Sequence, residues 1–161
     1  MKQQLNELFD YKDGQLIYKI NTAKCIKIGD IAGSICKTNG YRVIRINKIL
    51  YKAHRLIWIY FNGDIDTALQ IDHINHIRSD NRIENLRLAT RSQNGSNTTK
   101  QKNNTSGYKG VSWSKQYKKW VAQIMKNKKL IYLGLFATPE LAHAAYIAAA
   151  EKLHKEFACW E

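Results

Sequence analysis

Asp72 and His73 stand side by side, with Asn85 after eleven intervening residues and Asn94 after eight more, and these residue types could serve phosphodiester hydrolysis. That reaction needs a base to take a proton from water and a cation to stabilise the leaving oxygen. A neutral imidazole is available near pH 7, so His73 is the candidate base. Asp72 supplies a carboxylate and Asn94 an amide oxygen, and two oxygen donors suit one hard divalent ion, magnesium or manganese. His76 falls between these positions and reads as a hydrogen-bonded or solvated loop residue. His54, at the head of an apolar run, reads as a packing or capping residue. Arg78, Arg82, Arg87 and Arg91 surround the pattern and are candidates for contact with a phosphate backbone, with nothing in the sequence to choose among them.

The elements that would position these groups are legible around them. Ile71 to Asn75 reads as one strand and Leu86 to Ala89 as a second. Thr90 reads as the N-cap of a short helix that carries Asn94 back towards Asp72. The result is a β-β-α arrangement with a metal between the first strand and the helix. Upstream, Leu16 to Ile20 follows the turn dipeptide Asp13-Gly14, and Tyr41 to Ile46 follows Asn39-Gly40, so the first fifty or so residues read as β-structure. The run Ala53 to Phe61 predicts a helix that stops at Asn62-Gly63.

These residues resemble an HNH nuclease, in particular the phage and intron-encoded homing endonucleases, over the stretch from His54-Arg55 to Asn97. The resemblance implies that His73 is the general base and that Asn85 braces the loop between the strands and helps fix the base. It also implies that Asp72 and Asn94 hold a single magnesium-type ion. Asn at the last position makes this an H-N-N variant, and Thr98 stands where a fourth ligand histidine would be.

Composition points to a polyanionic partner. Lys and Arg total 26 against 13 for Asp and Glu, a net charge of +13 on a chain whose hydrophobic fraction of 44% is too high for a disordered tail. No run approaches the roughly 18 apolar residues of a membrane span, and Met1-Lys2-Gln3-Gln4 lacks the apolar stretch of a secretory signal. Cys25, Cys36 and Cys159 are an odd set without a C-x-x-C, which argues against both a disulfide framework and a thiolate zinc cluster. Ser92 to Gly107 has no apolar side chain and reads as a helix end followed by a flexible linker. Beyond it, residues 101–139 carry eight lysines and no acid, whereas 140–161 carry two lysines and four acids.

Three strand signals follow, Gly107 to Trp113, Lys119 to Met125 and Lys129 to Phe136. Thr138-Pro139-Glu140 then opens an alanine-rich helix. This text resembles an APETALA2-type DNA-binding domain in Tyr108-Lys109-Gly110-Val111, Lys119 to Ile124, Tyr132 to Phe136 and Ala142 to Ala149. The resemblance implies a three-stranded antiparallel sheet set in the major groove with one helix on its other face. Its DNA-contact positions fall on Lys109, Ser112, Trp113, Ser114, Lys115, Tyr117, Lys119, Gln123 and Tyr132. Ser112, Ser114, Met125 and Leu130 replace arginines that read guanine in the plant pattern. Trp120 reads as core.

The expectation is therefore an α+β chain. Residues 1–98 would form a nuclease domain with a β-rich lead-in, 99–106 a linker and 107–161 a DNA-reading domain. It would cut double-stranded DNA with one magnesium or manganese ion. It would act as a monomer with no protein partner and no membrane, in the cytoplasm of a bacterial host, phage-encoded, nicking one strand per binding event. The alternative is a DNA-binding transcriptional regulator that keeps an inactive nuclease fold, and a further rival is an RNA-binding or RNA-directed protein.

Overall fold

A computed structural model describes residues 1–160. Helices and small antiparallel sheets alternate along it, and the chain divides into two compact units, Met1–Ala89 and Thr90–Glu161. The break falls before the short helix expected to carry Asn94, so that helix belongs by compactness with the C-terminal sheet. No helix among the described residues is long and apolar enough to cross a membrane.

The first unit opens with a helix where the sequence predicts only strands. α1 (Lys2–Leu8) is a bare two turns with one buried residue, Leu5, too short for a helical period to register. β1 (Phe9–Lys12) and β2 (Gln15–Tyr18) form the hairpin that Asp13-Gly14 announces. Both turn residues are left-handed (φ 46° and 79°), the geometry that matches the twist of paired strands. Gly14 has a second role, because a Cβ there would lie 2.7 Å from the Arg82 backbone nitrogen. The hairpin turn thus abuts the loop that follows the candidate base. β3 (Ser34–Ile35), β4 (Arg42–Ile46) and β5 (Ile49–Lys52) make a second sheet in that order. Its β4–β5 turn uses Asn47 and Lys48 at positive φ, with no glycine to signal it.

α2 (Ala53–Asn62) is the predicted helix. It ends where the N–H of Gly63, at φ 85°, reaches the Ile59 carbonyl. Its Ala53, Leu56 and Ile57 join Leu5, Phe9, Leu16 and Ile44 in one core, where each large apolar side chain contributes about 1.5–3 kcal/mol relative to exposure. β6 (Leu69–His73) and β7 (Leu86–Thr90) pair as a ribbon, and β6 begins earlier than predicted.

In the second unit, Thr90 closes β7 and caps α3 (Arg91–Ser96). β8 (Val111–Ser114), β9 (Lys119–Lys126) and β10 (Lys129–Phe136) form an antiparallel sheet with β9 central. α4 (Pro139–His154) starts as predicted, with the Thr138 hydroxyl accepting from the Leu141 N–H and Pro139 at the first helical position. Its small residues Ala142 and Ala150 are fully buried and allow close approach to the sheet. Gly110 is required by the same contact, since a Cβ there would sit 2.2 Å from the Tyr146 ring. Burial raises the Tyr146 phenol to about 12. The segment expected as a flexible linker is tied down at both ends. Asn97 is buried, the Asn104 side chain accepts from Gly107 N–H, and the Ser106 hydroxyl donates to the Val111 carbonyl. A stretch without apolar side chains is held here by polar side chains that satisfy backbone groups.

Candidate functional site

β6 delivers Asp72 and His73 as consecutive buried residues, each 5% exposed. Their side chains alternate across the ribbon, so two neighbours in sequence meet different partners. Arg87 on β7 donates its Nε–H to Asp72 Oδ2 at 2.9 Å, and both groups are largely buried. A buried carboxylate needs a compensating charge, and Arg87 supplies it. By residue type alone Arg87 is indistinguishable from Arg78, Arg82 and Arg91. The signal that singles it out is its place on the strand paired with β6.

His73 Nε2 lies 3.0 Å from Asn81 Oδ1. With Asn81 Oδ1 as the acceptor, this contact corresponds to the tautomer that carries its proton on Nε2. Asn81 is 1% exposed and its Nδ2 is buried without a hydrogen-bond partner. The residue expected to help fix the base was Asn85, whereas the side chain that touches the ring is Asn81. The imidazole is further confined by His54 and Tyr41, whose ring centroids lie 5.0 and 6.0 Å away. His54 is the packing residue its position suggested. Burial, and then the positive fields of His73, Lys52 and Arg55, pushes its imidazole down to about 3, so it is neutral at physiological pH.

Asn85 is bonded to the loop between the strands. Its Oδ1 accepts from the Asn75 N–H, and its Nδ2 donates to both Asn75 Oδ1 and the Asp80 carbonyl. Asp80 accepts two bonds from the Arg82 guanidinium and one from Asn75, and this set holds its carboxyl well below the usual carboxylate range. Arg82, expected at a phosphate, is thus engaged inside the loop. Arg78 lies over the Tyr41 ring and donates to the Asn39 carbonyl, close to the imidazole pair. His76 occupies the loop with φ 63°.

Asn94 sits on α3 in the second unit. That helix is only six residues long, and its start is fixed by a reciprocal capping box between Thr90 and Gln93. Among the described residues no three His, Cys, Asp or Glu side chains converge as a metal cluster. The Asp72 carboxylate and the Asn94 amide oxygen, at the motif positions, are each hard oxygen donors of the type that magnesium takes.

On the C-terminal sheet, Trp120, Ala122 and Ile124 face α4 with Val111, Ala142 and Tyr146. Register then assigns the outward face. Ser112 pairs with Val121, Ser114 with Lys119, Gln123 with Tyr132 and Met125 with Leu130. Met125, Leu130 and Tyr132 are 59%, 60% and 57% exposed. Lys115 and Tyr117 occupy the exposed β8–β9 turn. A cleft of about 450 Å³ runs between Ser112, Gln123, Met125 and Leu130 and the segment that begins at Thr98.

Two expected contacts lie elsewhere. Trp113 is paired with Trp120, its ring 5.2 Å away, on the α4 side of the sheet. Lys109 directs its ammonium at three backbone carbonyls, those of Ser96, Thr98 and Cys159. An ammonium has three N–H donors, so this one is fully engaged as a latch, and burial lowers its pKa.

A family model for HNH endonucleases matches residues 51–96, and one for the AP2 domain matches residues 106–156. Protein 3.8 of Escherichia phage T7 is 42% identical over 85 residues, which is 51% of this chain and 70% of that protein. An uncharacterized HNH endonuclease of Acanthamoeba polyphaga mimivirus is 35% identical over 106 residues, 65% of this chain and 54% of its own length. No solved structure matches the chain.

Proposed function

This chain belongs to the HNH endonuclease family, and on that premise we propose that it cuts double-stranded DNA with His73 as general base and one magnesium or manganese ion as cofactor. The observation that carries the proposal is the buried pair Asp72–Arg87 beside a His73 whose tautomer is set by Asn81. With the proton on Nε2, Nδ1 is the nitrogen that takes a proton from the attacking water. Asn81 holds the other nitrogen, and Asn85 keeps the loop that delivers Asn81 in register. Asp72 and Asn94 would hold the divalent ion, which when bound stabilises the leaving oxygen.

Residues 1–98 serve as the nuclease and 107–161 as the DNA-reading module, joined by 99–106. The outward face of β8–β10 enters the major groove, and Lys115, Lys119, Lys128 and Lys129 hold phosphates. With one metal site per chain the enzyme acts as a monomer and nicks, as a free-standing homing enzyme of a phage would. Supercoiled plasmid incubated with and without magnesium tests the reading. Conversion to open circle only with magnesium, abolished by His73→Ala, is the expected result. Retention of cutting by His73→Ala would remove His73 from the base role, and duplex binding without cutting under any divalent ion would favour a regulator.

A further inference from the structure

The outward face of the C-terminal sheet combines two features that rarely share a surface. It lies in a segment with eight lysines and no acid. Yet its centre is apolar: Val121 and Met125 on β9, Leu130 and Tyr132 on β10, three of them more than half exposed. No arginine lies on β8, β9 or β10. The hydrogen-bonding side chains on this face are Gln123 at the middle of the central strand, the Tyr132 hydroxyl across from it, the short hydroxyls Ser112 and Ser114 on the edge strand, and Lys119 at the end of β9, where it pairs with Ser114 away from the apolar centre.

We infer that this face reads A·T-rich duplex, with Met125, Leu130 and Val121 packing on thymine C5-methyl groups and Gln123 bonding to adenine. The inference rests on the proposed reading of the sheet as the DNA-contacting surface and names its sequence class. Lysines draw the face to a polyanion but carry no sequence information at phosphates. Bidentate readout of guanine needs Arg or Lys directed at the base, whereas a glutamine matches the N6 and N7 edge of adenine. The thymine methyl is the one apolar group that projects into the major groove, so an apolar patch there has a single complement. Spacing agrees with this assignment. Gln123 and Met125 point to the same side two residues apart, about 6.8 Å along a strand, or roughly two base-pair steps. Leu130 and Tyr132 stand directly across from them in register, so the four side chains form a rectangle of about 5 by 7 Å, long enough to span two base-pair steps.

The full chain is titrated, in EDTA so that nothing is cut, against two 30-base-pair duplex pools of randomised A·T sequence. One pool contains thymine and the other deoxyuracil, which keeps every hydrogen-bonding edge and removes only the methyl. A third pool is G·C-rich. The thymine pool should bind tightest, by about three- to five-fold for each methyl in contact over the deoxyuracil pool. The Met125→Ala/Leu130→Ala double variant, whose side chains are exposed, should bind the two A·T pools nearly equally. Its thermal midpoint and far-ultraviolet spectrum check that it is folded. Gln123→Ala should narrow the remaining gap between the deoxyuracil and G·C pools. Equal affinity of the wild type for the thymine and deoxyuracil pools would overturn the inference and leave the sheet as a DNA-binding surface. A thymine preference that survives in the double variant would overturn it too, by locating the discrimination elsewhere. Absence of binding to any duplex at low salt would overturn the underlying reading as well.

Discussion

At the scale of single residues, the proposed base His73 is defined by what touches its Nε2. Asn81→Leu removes the acceptor at nearly constant volume, and Asn81→Asp retains one. The Leu variant should lose about 10- to 100-fold in kcat with duplex affinity unchanged, the range for partners that orient a functional imidazole. Its His73 ¹⁵N shifts should report mixed tautomers, and the Asp variant should restore the Nε2–H form; identical spectra in all three would deny Asn81 its positioning role. His54 makes a separate prediction about stability. Its folded pKa of about 3 lies below the ordinary histidine value of about 6.5, so the unfolded chain binds the proton first. The stability tied to neutral His54 is complete above pH 6.5 and is lost as pH falls towards 3. Between pH 7 and pH 5 the wild type should lose about 2 kcal/mol that His54→Leu does not. Parallel urea midpoints for the two proteins across that range would count against it. Residue type and spacing point to Asp72, His73, Asn85 and Asn94 as candidates. They do not point to Asn81 and Arg87, because a buried amide acceptor and a cross-strand counter-charge are defined by where a loop and a partner strand return.

At the scale of elements, short helices depend on their ends. α3 has six residues and no buried side chain, so the Thr90–Gln93 capping box is most of what defines its start. Thr90→Ala should cost about 0.5–2 kcal/mol in local stability. It should raise the magnesium concentration needed for half-maximal cutting, with Thr90→Ser restoring it. Hydrogen exchange at the α3 amides reads the loosening independently of activity, and unchanged exchange in Thr90→Ala would refute the dependence. Elements with locally encoded ends are also the ones legible in the sequence. β2, α2 and α4 carry turn or cap residues with a local mechanism: Asp13-Gly14, Gly63 and Thr138-Pro139. α1 and β5 lack them, the first being too short and the second following a turn without glycine. The segment from Asn97 to Gly107 read as flexible because nothing in it is apolar. Its order comes from Asn104, Ser106 and the Lys109 latch, polar contacts that leave no periodicity.

At the scale of the whole molecule, compactness and the expected division of labour part company at α3. That helix lies in the unit Thr90–Glu161, and its C-terminal carbonyls are held by Lys109. A DNA-binding fragment should therefore begin at Thr90 and not at residue 101, which would cut through the latch. Charge makes the last prediction. Lysines are concentrated from residue 101 to 139 and acids from 140 to 161, so phosphate contact by the second unit should come from the sheet and its turns. Each phosphate neutralised adds about −0.9 to the slope of log affinity against log salt. Lys119 is exposed, opposite Ser114 on the outward face. Lys119→Gln should flatten the slope by about 0.9 and weaken all duplexes alike, because a phosphate contact reads no sequence. Lys109→Gln should leave the slope unchanged and lower the thermal midpoint, because its ammonium is already engaged by three carbonyls. Lys152, exposed on α4, and Lys155, exposed just beyond it, should change neither slope nor selectivity when replaced by Gln. Salt titrations of the four variants on one duplex decide the matter. A larger slope change from Lys152 or Lys155 than from Lys119 would mean that the α4 side, not the outward sheet face, lies against DNA.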